Sequence, residues 1–253
     1  MTANFNFKIL EAMASIIVPV VTIYYIKNKK GGRLRNVFDG AAVFLIFYCL
    51  IFAVVATCIE FMTPLYEKVE SQLWLIIINV FFETLCIILG YKLWFKCVIK
   101  KKDDNSVGLM TGAGFAFART IFAHGITAVL SVIAGNIYIK NGANEIPPIL
   151  ESNLEAFMIA TSYYGFLLLI QLISVFVLET AFAFVIYRVN CCENAKYWSF
   201  IAFVLRIAAI VLLKSGIYLE RTVIVFIVVT IAVILSAIGY SLYKPFVRKP
   251  DEN

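Results

Sequence analysis

The stretch VGLMTGAGFAFARTIFAHGITAVLSVIAG, residues 107–135, decides the fold of this chain, because it is a long apolar run with an arginine near its middle. As a helix rising ~1.5 Å per residue it would extend ~43 Å, enough to cross a bilayer at a tilt. At 100° per residue, one face carries small residues, a phenylalanine and the arginine: Gly108, Gly112, Phe115, Arg119 and Ala123. Small residues let neighbouring helices come close. We therefore predict that Arg119 meets its partners on those neighbours.

The composition indicates an integral membrane protein. The 253 residues are 62% hydrophobic, with a mean hydropathy of +0.91, which is too apolar for a soluble domain of this size. Charged residues lie almost entirely between the apolar runs, as expected when polar groups must leave the hydrocarbon. The net charge of +6 is explained by topology and by contact with lipid headgroups, so no nucleic-acid partner is expected. The placement of the six cysteines predicts no disulfide framework.

Seven apolar runs predict a single all-α domain, a polytopic membrane bundle. The predicted transmembrane helices cover about residues 9–26, 40–62, 73–95, 107–135, 153–189, 197–213 and 222–243. The first run precedes the basic stretch KNKKGGRLR, which is the reverse of a secretory signal, so we expect this helix to be retained. Before the fifth run, Pro147 and Pro148 break any helix. Ser152 and Glu155 then have the spacing of a capping box at the start of the fifth helix.

Basic residues favour one orientation of this bundle. The segments assigned to the cytosolic side contain 14 lysines and arginines, whereas the external segments contain five: Lys8, Lys68, Lys140, Lys214 and Arg221. Since cytosolic loops carry the excess of positive charge, we predict an external amino terminus and a cytosolic carboxyl terminus. The expected location is the bacterial plasma membrane.

Four ionisable residues remain near the centre of the predicted helices: Glu83, Arg119, Glu179 and Arg206. Measured from the cytosolic end of each helix, the four lie within a slab ~6 Å thick. Four unpaired charges in hydrocarbon would cost on the order of 10 kcal/mol. We therefore predict a neutral buried cluster in which glutamates meet arginines. The alternative is that some of the four line a water-filled cavity or extend towards the surface.

Two other features give weaker signals. His124, the only histidine, lies roughly 140° round a regular helix from Arg119, and we favour a packing or interfacial role over proton chemistry. Cys191 and Cys192 have no other thiol or histidine near them in the sequence. They therefore favour a cytosolic turn over a soft-metal or acylation site.

Over most of its length the chain resembles the YhfC-type family of intramembrane metalloproteases. The resemblance rests on five segments: ASIIVPVVTIYYIKNKK, FFETLCIILGYKLWFK, GLMTGAGFAFART, FVLETAFAFVIY and FIAFVLRIAAIVL. The positions that match the family's site residues are Glu83, Phe115, Arg119, Glu179, Tyr187 and Arg206. Phe115 and Arg119 stand where the fourth helix of the family has a histidine and a glutamate, and Arg206 stands at a histidine position.

These differences imply a degenerate protease site. A catalytic zinc needs about three neutral imidazole or carboxylate ligands and an open position for water. Arginine is permanently cationic and has no lone pair to donate, so Arg119 and Arg206 would repel a dication. We therefore expect no zinc and no other cofactor. In this interpretation glutamates and arginines replace the metal ion and its ligands, and the site stays electrically neutral.

Three functions are compatible with these features. The first, which we favour, is a non-catalytic protein that binds, escorts or confers immunity against another membrane protein or a hydrophobic peptide, for example beside a transporter. The second is an active intramembrane protease in which Glu83 or Glu179 acts as a general base with a bound water, with zinc as its cofactor only in this case. The third is an anionic-ligand binder or transporter built on Arg119 and Arg206.

Overall fold

The computed structural model describes residues 2–62, 72–98, 104–142, 145–159, 162–191, 196–215 and 220–243. The regular structure in these ranges is helical, and seven helices are long and apolar enough to span a membrane. The predicted all-α class and seven-helix bundle are therefore confirmed. The spanning helices are α1 (Thr2–Lys30), α2 (residues 34–62), α3 (Gln72–Cys97), α4 (Asn105–Asn141), α5 (Ser162–Cys191), α6 (Lys196–Lys214) and α7 (Arg221–Tyr243).

Helices that follow one another in the chain alternate in direction, so the bundle has two ends. We call the end at which α1 begins the first face and the end at which α1 ends the second face. Hydrogen bonds between the ends of different helices agree with this arrangement. At the first face Tyr163 of α5 contacts Thr222 of α7, with 2.5 Å between the two hydroxyl oxygens. At the second face Arg188 of α5 donates both to the backbone oxygen of Leu242 and to the side chain of Asn105.

The first part of helix α4, Asn105–Thr120, is largely buried in the bundle because its small residues allow close contacts. A Cβ atom added to Gly108 would lie 2.6 Å from the ring of Tyr187 on α5. One added to Gly112 would lie 2.7 Å from the backbone oxygen of Thr180, which cannot move without displacing α5. The expectation that this face of the helix lets a neighbour come close is confirmed. The same face carries Arg119 towards α5.

Two spanning helices contain π-helical turns, at Phe44–Phe52 in α2 and Ile121–Gly125 in α4. A π-helical turn carries more residues than an α-helical turn, so it changes the angular position of everything that follows. In α4 this turn begins two residues after Arg119 and contains His124. The angle of roughly 140° expected for a regular helix therefore does not describe the relation between these two residues.

The predicted fifth helix is corrected, because the structure divides residues 153–189 between two elements. A short helix, Glu151–Met158, ends in a turn at Ile159, and α5 begins separately at Ser162. The reason is tertiary. Phe157 is fully buried, with its ring 4.7 Å from that of Phe5 on α1, and it also fills the space beside Gly135. These contacts hold the short helix against α1 and α4.

The capping box and the end of α4 also differ from the prediction. The residue preceding the short helix is Leu150, which makes no side-chain capping hydrogen bond, so Ser152 lies inside the helix and does not cap it. Helix α4 continues to Asn141, beyond its predicted end. Ile137 and Tyr138 of the extra turns pack against a cluster that contains the connecting residues Ile146 and Leu150, which gives this end of α4 a tertiary contact.

Several basic residues behind the predicted orientation lie outside the described residues: Lys68, Lys100, Lys101, Lys102, Lys244, Arg248 and Lys249, as does Cys192. Exposed basic residues are found at the second face: Lys27, Lys29, Lys30, Arg33, Arg35 and Lys96. Two of the counted residues, Lys8 and Arg188, are buried. The orientation itself stays a prediction.

Candidate functional site

The structure brings Glu83, Arg119, Glu179 and Arg206 into contact at the centre of the bundle. Each residue comes from a different spanning helix, α3 to α6 in that order. Arg119 is 8% exposed and the other three are fully buried. The four charges that the sequence places at one depth therefore form a single group, which we call the central cluster.

Arg206 makes most of the contacts in the central cluster. Its Nε atom donates to both carboxylate oxygens of Glu179, each at 3.1 Å. Its Nη2 atom donates to Oε1 of Glu179 at 2.9 Å and to Oε1 of Glu83 at 3.0 Å. Its Nη1 atom donates to the hydroxyl of Thr84 at 2.6 Å. All three nitrogens of this guanidinium group are therefore engaged by protein acceptors.

Arg119 joins the same two carboxylates from the opposite helix. Its Nη1 atom donates to Oε1 of Glu179, and its Nη2 atom donates to Oε1 of Glu83 at 3.1 Å. The guanidinium carbon also lies 5.5 Å from the centroid of the Tyr48 ring, within the range of a cation–π interaction. Each arginine thus bridges both glutamates. Such charge-assisted bonds are stronger than neutral ones, and here no bulk water competes for them.

A fifth charge, Lys214, belongs to this network although sequence analysis assigned it to an external segment. Its Nζ atom lies 2.8 Å from Oε2 of Glu83, while 42% of its side chain is exposed. Lys214 is the last residue of α6 and follows Arg206 by two turns on the same helix, a spacing that could have pointed to it. Its flexible stem lets the ammonium group reach back from the first face. With Lys214 included, the network contains three cations and two carboxylates.

Aromatic rings fill the bundle between the central cluster and the second face. Successive ring pairs have centroids 5.1 to 5.6 Å apart: Phe44–Phe115, Phe115–Tyr91, Tyr91–Phe95 and Phe95–Tyr187. Phe115 and Tyr187, the two remaining positions named in the predicted resemblance to the protease family, lie in this stack rather than among the charges. The Tyr187 hydroxyl donates to the backbone oxygen of Asp104 at 2.9 Å. The central cluster therefore has the aromatic stack on its second-face side and Lys214 on its first-face side.

The donors present do not fit a catalytic zinc. Both oxygens of Glu83 and both oxygens of Glu179 accept hydrogen bonds from cationic groups, so metal binding would require displacing the arginines. Phe115, which the predicted resemblance places at a histidine position, offers no lone pair. Within the described residues, no three His, Cys, Asp or Glu side chains come together as metal ligands would.

A second buried polar group escaped the sequence analysis. Lys8 and Glu11 on α1 form an ion pair with 2.8 Å between Nζ and Oε2, and both side chains are at most 6% exposed. His124 of α4 approaches the other oxygen of Glu11, with 3.2 Å between Nδ1 and Oε1. We call these three residues the outer triad. Opposite charges at i and i+3 in the first turns of an apolar helix were the available signal.

Comparison with protein-family models, with curated proteins and with solved structures finds no match for this chain. The fold and the central cluster define its class: a seven-helix, multi-pass membrane bundle braced by buried ion pairs. The relation to the YhfC-type family stays a prediction that rests on the five sequence segments.

Proposed function

We propose that this protein is a non-catalytic membrane protein of YhfC-like architecture, with a degenerate protease site, that binds another membrane protein or a hydrophobic peptide. The observation that carries the proposal is that every carboxylate oxygen in the central cluster is paired with a cationic group. Each carboxylate oxygen of Glu83 and Glu179 accepts a hydrogen bond from a guanidinium or ammonium group. A general base must lie within hydrogen-bond reach of a proton on water or substrate, and these fully buried carboxylates are enclosed by their cationic partners. These carboxylates are used to hold four helices together.

The two alternatives would use residues that are already engaged. An active protease would need Glu83 or Glu179 to hold a water molecule in place of an arginine. An anion binder would need a guanidinium face directed at the ligand, yet all three nitrogens of Arg206 contact protein acceptors. The geometry supports a structural role for the charges, and binding is then expected on the outer surface of the bundle.

Helix α2 offers the surface best suited to a partner helix. Only 11% of an apolar 18-residue segment of α2 is buried inside the bundle, compared with 72% for the corresponding segment of α5. Leu50 and Val54 are 64% and 66% exposed on it. In a bilayer such a face contacts either lipid or another transmembrane segment, and helix association there depends on packing. We infer that a transmembrane segment of the partner packs against α2.

Site-specific photocrosslinking in native membranes tests this proposal. A photoreactive amino acid replaces Val54 on α2 or, as the matched control, Phe226 on α7, which is 72% exposed. We expect a discrete protein adduct from position 54 and lipid adducts alone from position 226. Lipid adducts alone from both positions, in folded protein, would contradict the binding of a membrane protein by α2.

The catalytic alternative is tested on the crosslinked partner. If the protein is non-catalytic, the partner has the same length in membranes that contain the wild type or Glu179→Gln, with expression of the two variants matched. A shorter partner fragment present with the wild type and missing with Glu179→Gln would favour the protease. Elemental analysis gives an independent result, because about one zinc per chain, lost on Glu83→Ala, would also overturn the proposal.

The proposed orientation has its own test. A reporter fused after Asn253 should be cytosolic, and a cysteine introduced at Asn144, which lies outside the described residues, should react with a membrane-impermeant reagent added to intact cells. Labelling of Asn144→Cys only after the cells are opened would reverse the orientation. That result would leave the other proposals unchanged.

A further inference from the structure

A groove opens between α1, α5 and α7 in the half of the bundle nearest the second face. Its volume is about 470 Å³, within the range of small-molecule sites in proteins. Its walls include Val18 and Tyr25 of α1, Phe176 and Val177 of α5, and Tyr240 of α7. No residue of the central cluster lines it, so the groove is a separate feature of the molecule.

The groove is about as long as one leaflet of a bilayer. On α1 its lining residues run from Val18 to Lys30, which corresponds to ~18 Å at ~1.5 Å per residue. The apolar span of this helix is Asn4–Lys30, so the groove begins near the midpoint and ends at the second face. Since a bilayer core is ~30 Å thick, a transmembrane segment would need a site about twice as long. The length fits an acyl chain that enters from one leaflet.

Apart from Tyr25, Lys30 and Tyr240, the described residues that line the groove offer an occupant no side-chain donor beyond hydroxyls already bonded within their own helices. The hydroxyls of Thr22, Thr180 and Ser236 donate to the carbonyl four residues earlier in their own helices, at 2.8 to 2.9 Å. Most of the other lining side chains are aliphatic or aromatic. An extended hydrocarbon chain has no polar groups to satisfy and is therefore the chemistry that suits this surface.

The basic residues at one end of the groove favour a lipid with an anionic headgroup. Lys30 is the charged residue that lines the groove, and it lies at the second-face end. It belongs to a run of five basic residues without an intervening acid: Lys27, Lys29, Lys30, Arg33 and Arg35. Basic residues next to a membrane surface attract anionic lipids. We propose that the groove binds an anionic phospholipid, with one acyl chain between α1, α5 and α7 and the phosphate beside Lys30.

Native mass spectrometry and thermal unfolding of the detergent-purified full chain test this proposal. The probes are phosphatidylglycerol and phosphatidylcholine with identical acyl chains, together with inorganic phosphate alone. We expect one bound phosphatidylglycerol per chain and a larger rise in unfolding temperature with it than with phosphatidylcholine. Phosphate alone should give no rise, because the groove contributes through the acyl chain. Equal effects of the two lipids, or a full effect of phosphate, would overturn the proposal.

Matched variants locate the site. Lys30→Glu should weaken phosphatidylglycerol binding by about fivefold or more, from the ~1 kcal/mol that each surface basic residue contributes. Lys29→Glu, an exposed neighbour that does not line the groove, should have a smaller effect. If the two variants weaken binding equally, the charge acts diffusely and the assigned site is wrong.

A second pair of variants tests the acyl-chain path independently of charge. Val177→Trp fills the groove and should abolish the preference for phosphatidylglycerol, whereas Val233→Trp, on an exposed position of α7 outside the groove, should preserve it. Thr22→Trp fills the groove from α1 and serves if Val177→Trp does not fold. Undiminished lipid binding by a folded filling variant would overturn the proposal.

Discussion

The central cluster and the outer triad are both buried ion-pair groups, yet they connect the molecule differently. The central cluster joins four spanning helices through Glu83, Arg119, Glu179 and Arg206. In the outer triad, the ion pair itself lies within α1 and only the contact between Glu11 and His124 crosses to another helix. The same chemistry therefore connects four helices in one group, whereas in the other it pairs charges mainly within one helix. We expect the number of helices that share a group to set its contribution to stability.

The largest effect is expected when the central cluster loses Arg206. Arg206→Ala leaves Glu83 and Glu179 with one arginine between them in a fully buried place. Removal of one partner from a buried pair typically costs ~3–5 kcal/mol. Thermal and denaturant unfolding in detergent would measure the loss. Arg35→Ala, which removes an exposed arginine, is the control and should unfold like the wild type. Equal stability of both variants would show that the central cluster does not hold the fold together.

Double-mutant cycles should rank the pairs inside the central cluster. Glu179 and Arg206 share three hydrogen bonds, whereas Glu83 and Arg119 share one. Replacing both members of a pair by glutamine should cost less than the two single changes together, because no lone charge remains. We expect a coupling energy of ~1–3 kcal/mol, larger for Glu179 and Arg206. Coupling below ~0.5 kcal/mol for both pairs, within the range of independent sites, would show that the charges act separately.

The outer triad should tolerate the corresponding change better. Glu11→Gln keeps a polar side chain beside His124 and leaves Lys8, near the first face, with a short route to water. We expect a loss of ~1.5–3 kcal/mol, the range for a hydrogen bond to a charged group. Glu83→Gln is the matched change in the central cluster and should cost more. A larger loss for Glu11→Gln, in the same unfolding assay, would reverse the order of importance of the two groups.

The smallest effect is expected at Lys214, where the central cluster meets the first face. Its side chain is 42% exposed, so solvent weakens its pair with Glu83. Lys214→Met should change stability by no more than ~1 kcal/mol, as is usual for exposed ion pairs. The effect should shrink in high salt, since salt screens exposed charges. A loss as large as that of Arg206→Ala, insensitive to salt, would place Lys214 inside the buried cluster.

The sequence predicted the central cluster better than the outer triad for a physical reason. A charge in the middle of an apolar run is improbable unless it has a partner, so Glu83 and Arg206 are conspicuous. A charge near the end of a run has an ordinary explanation in contact with water or headgroups. Lys8 and Lys214 are therefore predicted in external segments, and only the folded structure shows that Lys8 is buried and that both lysines are paired.

By itself, the sequence determined the class of this protein and the depth of its central charges. The length of the apolar runs and the spacing of the charges within them decide both, because hydrocarbon excludes unpaired polar groups however the helices pack. Only the tertiary structure decided which side chains meet, that Phe115 and Tyr187 belong to an aromatic stack, and that residues 153–189 form two helices. These features depend on contacts between segments far apart in the chain. The hydrophobicity of a local segment does not predict such contacts.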